Sequence, residues 1–113
     1  MAQGAEALEA MLNRWPDVDA IVCVSDLSAF GVLAECQRLG IDVPDRIAIA
    51  GFGDFEVARC CHPRLTTVAV DCAEIGRTAA EAALAALDAR NRNEARKPET
   101  ARIDFRVVAR ETA

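Results

Sequence analysis

The sequence predicts an α/β fold in which a parallel sheet is flanked by helices. Short apolar runs rich in β-branched residues alternate with stretches of helical spacing along the 113 residues. Parallel strands need a crossover connection, usually a helix, so this alternation is typical of a parallel sheet. The runs are also continuously apolar, as expected of strands that helices cover on both faces. The length fits one domain.

The predicted elements follow one another in the order α-β-α-β-(α)-β-α-β. Apolar side chains at helical spacing predict helices over residues 3–14, 25–40, 55–60 and 72–90. Apolar runs predict strands over residues 19–24, 47–52, 65–71 and 102–112, the last by alternation. Trp15-Pro16 ends the first helix, and Gly40 ends the second. Ser25 or Asp26 caps the second helix, and Asp71-x-x-Glu74 resembles a capping box that opens the fourth.

Composition and charge exclude several function classes. The N-terminal stretch "MAQGAEALEAMLNRW" is acidic and lacks the apolar core of a signal peptide, so we expect a cytoplasmic protein. No run is long enough to span a membrane. The net charge is −5, and thirteen basic residues are scattered among eighteen acidic ones. Because nucleic-acid binding draws its affinity from clustered cations, we expect this chain not to bind DNA itself.

The cysteine pattern indicates reduced thiols. There are five cysteines, none in a C-x-x-C pair, and an odd count without a signal peptide argues against disulfides. Cys60-Cys61-His62 suggests a metal site, but successive residues of an extended segment point to opposite faces. We therefore expect these cysteines to be packing or interface residues, and we expect no metal and no cofactor.

Polar residues follow two predicted strands at the point where each strand ends. Ser25-Asp26 follows the first strand, and Gly51-Phe52-Gly53-Asp54 follows the second. Ligands of parallel sheets bind beyond the carboxyl ends of the strands, so these residues form the predicted site.

Three interpretations of this site are open from the residues alone. In an enzyme, Asp26 and Asp54 would bind Mg²⁺ or relay protons, but Lys97 is poorly placed to assist a phosphate, and Ser25 with His62 lacks the G-x-S-x-G pattern. In a purely structural reading, Ser25 and Asp26 cap a helix and the glycines turn the chain. In a binding crevice, the polar side chains and backbone N–H groups hydrogen-bond a polyol without catalysis.

Four stretches carry a family resemblance: "DAIVCVSDLSAFGVL", "LGIDVPDRIAIAGFGD", "HPRLTTVAVDCAEIGRTAAE" and "FRVVARET". Together they resemble the C-terminal part of the effector domain of LacI-family transcriptional repressors, which share the type I periplasmic-binding-protein fold. The resemblance covers nearly all of residues 1–113. It implies a small-molecule sensor, not an enzyme; a solute-binding sugar receptor of the same fold is the alternative.

The resemblance also implies a domain organisation. Such repressors begin with a DNA-binding helix-turn-helix, a hinge and an N-terminal subdomain, and none of these precedes Met1. We therefore expect a fragment or a truncated product that contacts DNA only through a domain outside this chain. Residues 1–65 and 101–113 correspond to the C-terminal subdomain, and residues 66–100 cross to the N-terminal one.

The resemblance assigns effector contacts to the two strand ends. Ser25 matches a position that contacts the effector, and Asp26 matches the adjoining acid that caps a helix. Phe52 and Gly53 fall where sugar-binding relatives carry an aromatic residue and a sugar-binding aspartate. Gly53 departs from that pattern, although Asp54 keeps the neighbouring acid. These five residues are the predicted effector site. A second set matches a homodimer interface and consists of Phe30, Ala34, Cys60 and Cys61.

The same positions lead to an expectation about the ligand. "GFGD" with "HPRLTTVAVD" looks like the gluconate-responsive branch of the family. A carboxylate at position 53 would repel an anion by roughly 1 to 4 kcal/mol, and glycine removes that charge. We therefore expect a sugar acid, with Ser25 donating a hydrogen bond and Gly53 giving the ligand clearance and letting backbone N–H groups approach. Asp54 is expected to cap the next turn.

Overall fold

The chain alternates helices and strands throughout, as the sequence predicts. A computed structural model describes residues 1–95 and 100–113. The helices are α1 (Ala2–Arg14), α2 (Asp26–Leu39), α3 (Glu56–Cys60) and α4 (Cys72–Asn91). The strands are β1 (Ala20–Val22), β2 (Ala48–Phe52), β3 (Thr66–Val70) and β4 (Phe105–Val108). Lys97 and part of the predicted polar connection before β4 lie outside the described residues.

The strands form a four-stranded sheet in the order β1-β2-β3-β4. β1 is parallel to β2, with Ala20 opposite Ala48, and β2 is parallel to β3, with Ala50 opposite Thr66. The prediction of a parallel sheet flanked by helices is therefore confirmed. Because β1 and β2 are parallel neighbours, the segments that leave their carboxyl ends emerge at the same edge of the sheet.

Local capping residues set the bounds of the helices. Ser25 is the N-cap of α2 and accepts a hydrogen bond from the Ser28 N–H at 3.2 Å. Gly40 ends α2 in the left-handed conformation, with φ of 67°. Asp71 accepts from the Glu74 N–H at 2.9 Å and starts α4. These three predicted caps are confirmed.

The core lies between the sheet and the helices α1, α2 and α3. Its largest apolar side chains are fully or nearly fully buried, and they are Leu8, Ile21, Val32, Leu33, Ile47, Ile49 and Leu65. Burial of this set supplies the main favourable free energy of folding. It also fixes α2 against β2, and so places the start of α2 beside the end of β2.

The described chain divides into two compact units. One consists of residues 1–69 and 106–113, and it contains the core and the predicted site. The other consists of residues 70–105 and contains α4, none of whose residues is buried. Among the residues described, no helix is both long enough and apolar enough to cross a membrane.

Candidate functional site

The two predicted strand ends meet at one edge of the sheet. Val22 ends β1 opposite Ala50 of β2, and the Cys23 N–H donates to the Ala50 carbonyl at 2.8 Å. Beyond this point, the Asp26 carboxylate accepts a hydrogen bond from the Phe55 N–H at 2.6 Å. This bond joins the start of α2 to the turn that follows β2. The structure therefore brings together the two segments that the sequence places at the site.

Asp26 is fully buried, and both of its carboxylate oxygens are bonded. Oδ2 accepts from the Phe55 N–H, and Oδ1 accepts from the Thr67 hydroxyl on β3 at 2.5 Å. A Cβ on Gly51 would lie 2.2 Å from Oδ1, so only glycine allows the carboxylate to approach β2 this closely. Asp26 thus ties α2, β3 and the turn after β2 to one another.

Ser25 caps α2 and lies half-buried at the end of β1. Its hydroxyl accepts from the Ser28 N–H, and its oxygen is 3.1 Å from the Ser28 hydroxyl. A hydroxyl that accepts in a cap keeps a proton that it can donate elsewhere. The geometry is therefore compatible with both the cap and a donated bond to a ligand.

Gly53 has a backbone conformation that side chains disfavour, with φ of +122°. Its N–H donates to the Val68 carbonyl at 2.8 Å, which extends the pairing of β2 with β3. A Cβ at this position would lie 2.8 Å from Cε1 of Phe55. The space beside Gly53 is therefore filled by the Phe55 ring, and the Gly53 N–H is bonded within the sheet. The sequence interpretation had expected the ligand to occupy this space and backbone N–H groups to approach the ligand.

Asp54 binds two guanidinium groups. Its Oδ1 accepts from Arg110 Nη2 at 2.5 Å, and its Oδ2 accepts from Arg59 Nη2 at 3.0 Å. The Arg110 hydrogen bond, supported by Arg59, lowers the pKa of the Asp54 carboxyl from its ordinary value. The expectation that Asp54 caps the next turn is wrong. Phe55 is the N-cap of α3, and no side chain caps it.

Two aromatic rings and two arginines complete the surroundings of the turn. The Phe52 and Phe55 side chains are each 43% exposed, so both are available for contact at the strand ends. The sequence interpretation missed Phe55, Arg59, Thr67 and Arg110. Of these, only Thr67 could have been recognised from the sequence, as a polar residue within an apolar strand. The two arginines look in the sequence like ordinary solvent-exposed charges.

The oxygens of the two strand-end carboxylates are all bonded within the chain. N–H and O–H donors occupy the oxygens of Asp26, and guanidinium groups occupy those of Asp54, so this pair is poorly suited to Mg²⁺. Within residues 1–95 and 100–113, no three His, Cys, Asp or Glu side chains are grouped so as to hold a metal ion.

Comparison with known proteins identifies the fold family. The chain matches the periplasmic binding protein-like domain over residues 1–113. This chain belongs to that family. It spans about a quarter of the length of the curated relatives it matches, such as the transcriptional regulator GntR of Escherichia coli K12, with 37% identity over 84 residues, 74% of this chain and 25% of GntR.

Two solved structures show which part of the domain the chain covers. The transcription regulator GntR from Chromobacterium violaceum is 42% identical with a TM-score of 0.79, over 98% of this chain and 40% of that one. A LacI family transcriptional regulator from Arthrobacter sp. FB24, in complex with lactose, is 31% identical with a TM-score of 0.75, over 96% and 40%. The periplasmic binding protein-like sheet of this chain matches the C-terminal portion of a LacI effector domain.

The residues expected at a dimer interface lie on α2 and around α3. Ala34 and Cys60 are exposed, while Phe30 and Cys61 are half-buried against the core. Cys60 is the last residue of α3, in agreement with the helix predicted over residues 55–60, so the extended segment used to argue against a metal site does not include Cys60. Gln37 on α2 donates to the His62 carbonyl at 2.6 Å and joins the two segments.

Proposed function

We propose that this chain is the effector-binding and dimerising portion of a LacI-type transcriptional regulator. It acts as a non-catalytic sensor whose ligand is a sugar acid of the gluconate type. The ligand binds beyond the ends of β1 and β2, where Ser25 donates a hydrogen bond and Phe52 packs against the C–H groups of its carbon chain. Asp26 and Asp54 contribute by holding the turn beside Gly53. The observation that carries this proposal is the bond from Phe55 N–H to Asp26, which joins the two strand ends.

The charges at the strand ends support an anionic ligand. Asp26 is buried with both oxygens bonded, and Asp54 lies between the guanidinium groups of Arg59 and Arg110. Neither carboxylate therefore presents an uncompensated negative charge beside Gly53. An unpaired carboxylate at that position would repel an anion by roughly 1 to 4 kcal/mol.

A neutral sugar is the second candidate ligand. It is favoured by the lactose complex of the Arthrobacter regulator, which is 31% identical to this chain. The half-exposed Phe52 ring is compatible with either ligand, because an aromatic face packs against C–H groups, which the ring of a neutral sugar and the open chain of a gluconate-type acid both present. The two candidates differ in charge, so a change of charge at the site separates them.

Regulation follows from a difference in effector affinity between two arrangements of the whole regulator. We assign residues 1–65 and 101–113 to the C-terminal subdomain and residues 66–100 to the N-terminal one. The surface of Phe30, Ala34, Cys60 and Cys61 pairs with its own copy about a two-fold axis. DNA is contacted by a part of the regulator outside this chain.

The test is calorimetry on the protein as its gene encodes it, titrated with gluconate, ribose and galactose. The proposal expects gluconate to bind most tightly. Gly53→Asp should then weaken gluconate binding by about 1 kcal/mol or more, because the new carboxylate repels the ligand. Tight binding of a neutral sugar in place of gluconate would refute the sugar-acid assignment.

Gly53→Ala is the matched control. Both variants place a Cβ at a backbone of positive φ and against the Phe55 ring, so both carry the same strain. Only the aspartate variant adds charge. The proposal therefore predicts that the aspartate variant loses more gluconate affinity than the alanine variant, and an equal loss in both would show that backbone strain is the whole effect.

A further inference from the structure

The C-terminal segment after β4 is built into the sheet. Thr112 is fully buried; its hydroxyl donates to the Ile49 carbonyl at 2.7 Å and accepts from the Thr66 N–H at 2.9 Å. The Ile49 N–H donates to the Thr112 carbonyl at 2.7 Å. Thr112 therefore bridges β2 and β3 just before the two strands pair directly at Ala50 and Thr66. The segment has a fixed position relative to both strands.

Arg110 extends from this segment to the turn after β2. Its backbone N–H donates to the Thr66 hydroxyl at 2.8 Å, and its Nη1 donates to the Leu65 carbonyl at 2.8 Å. Its Nη2 donates to Asp54 Oδ1 at 2.5 Å. The two side chains are 15% and 10% exposed, respectively, so this ion pair is largely shielded from solvent. The backbone of Arg110 and one nitrogen of its guanidinium group are therefore fixed by contacts that do not involve Asp54.

The turn that receives this bond has a rarely adopted backbone. Gly53 and Asp54 have consecutive positive φ angles of 122° and 52°. Non-glycine residues persist in this region only where surrounding contacts hold them there. Arg59 also binds Asp54, but its side chain is 61% exposed, and an exposed partner contributes little. Arg110 is the better-shielded of these two arginines.

We propose that Arg110 is a positioning residue of the effector site, which holds the Gly53–Asp54 turn and thereby sets the place of Phe52 and Phe55 at the strand end. Arg110 acts through Asp54 and does not touch the ligand. The expected change in sugar affinity rests on the proposed function. The effect of Arg110 on the turn does not, because it is measured without ligand.

The test compares Arg110→Gln with Arg64→Gln. Arg64 also binds the C-terminal segment, through Glu111 at 2.9 Å, but it does not contact Asp54. Backbone amide NMR signals of Gly53, Asp54 and Phe55 report the turn, and calorimetry reports sugar affinity. Arg110→Gln should shift the three amide signals and weaken sugar binding by about tenfold, or about 1.4 kcal/mol. Arg64→Gln should leave both as in the wild type.

Arg110→Lys and Asp54→Asn keep the test decisive if Arg110→Gln does not fold. The lysine variant keeps the charge and should recover part of the lost affinity, whereas the asparagine variant should reproduce the shift of the amide signals. Unshifted signals, or affinity lost equally in the Arg64 variant, would overturn the inference. If the wild type binds none of the sugars, the proposed function fails, and the amide signals alone then support or overturn the role of Arg110 in the turn.

Discussion

Replacing Asp26 with alanine removes a buried carboxylate that accepts two hydrogen bonds. The Phe55 N–H and the Thr67 hydroxyl, at 2.6 and 2.5 Å, lose their acceptor. Hydrogen bonds to charged groups contribute about 1.5–3 kcal/mol each, so the expected loss in free energy of unfolding is about 3–6 kcal/mol. Domains of this size are stable by only about 5–15 kcal/mol, so this variant approaches the limit of folding.

Two milder variants make the reasoning measurable by urea unfolding with circular dichroism. The asparagine of Asp26→Asn can still accept from the Phe55 N–H and donate to the Thr67 oxygen. Its loss in free energy of unfolding should therefore be about half that of the alanine variant or less. Thr67→Val removes one bond at nearly constant volume and should lose about 1.5–3 kcal/mol. Asp45 is exposed, so Asp45→Ala is the control, and its free energy of unfolding should lie within about 0.5 kcal/mol of that of the wild type. An Asp26→Ala loss below about 1 kcal/mol would refute the proposed network.

Three further predictions concern acid stability, dimerisation and DNA. Because the Arg110 bond lowers the pKa of Asp54, the ionised carboxyl stabilises the fold, and this contribution is lost as the pH falls below about 4 and through the lowered pKa. Asp54→Asn should therefore flatten the fall in stability with acid, measured by unfolding at several pH values. Ala34→Glu should convert dimers to monomers in light scattering at tens of micromolar, while Ala10→Glu on α1 should not; Phe30 is a poorer probe because it packs against the core. A chain of net charge −5 should give no sequence-specific gel shift at sub-micromolar protein and low salt, and such a shift would contradict the prediction.

The helices and the succession of helices and strands along the chain could be predicted because they depend on local spacing. The strand bounds were predicted too long, and the reason is pairing. β1 covers only Ala20–Val22 of the run 19–24, since its register with β2 ends at Val22 and the chain then turns into α2. Likewise, β4 covers only Phe105–Val108 of a longer alternating stretch. Side-chain patterns report which residues suit a strand, whereas the partner decides how many of them pair.

The partners of the site carboxylates could not be predicted from spacing. Asp26 and Thr67 are 41 residues apart in the chain, and Asp54 and Arg110 are 56 apart. Periodicity identifies the face on which a residue lies but not the distant group that it meets. The expectation that Asp26 caps the helix is wrong: Ser25 is the N-cap, Asp26 is the first residue of α2, and the Asp26 carboxylate bonds to β3 and to the turn after β2. The two carboxylates were grouped together because both follow strands, but they have separate partners.

The fold requires glycine at positions 51 and 53 for different physical reasons. This difference limits what the glycine at position 53 indicates about the ligand. At Gly51 a Cβ would meet the Asp26 carboxylate, so the constraint is the close approach of α2 to β2. At Gly53 the constraint is a positive φ together with the Phe55 ring. The turn therefore favours glycine at position 53 before any ligand binds. For this reason a preference for anionic over neutral sugars has to be assigned from the difference between the aspartate and alanine variants, and not from the presence of the glycine.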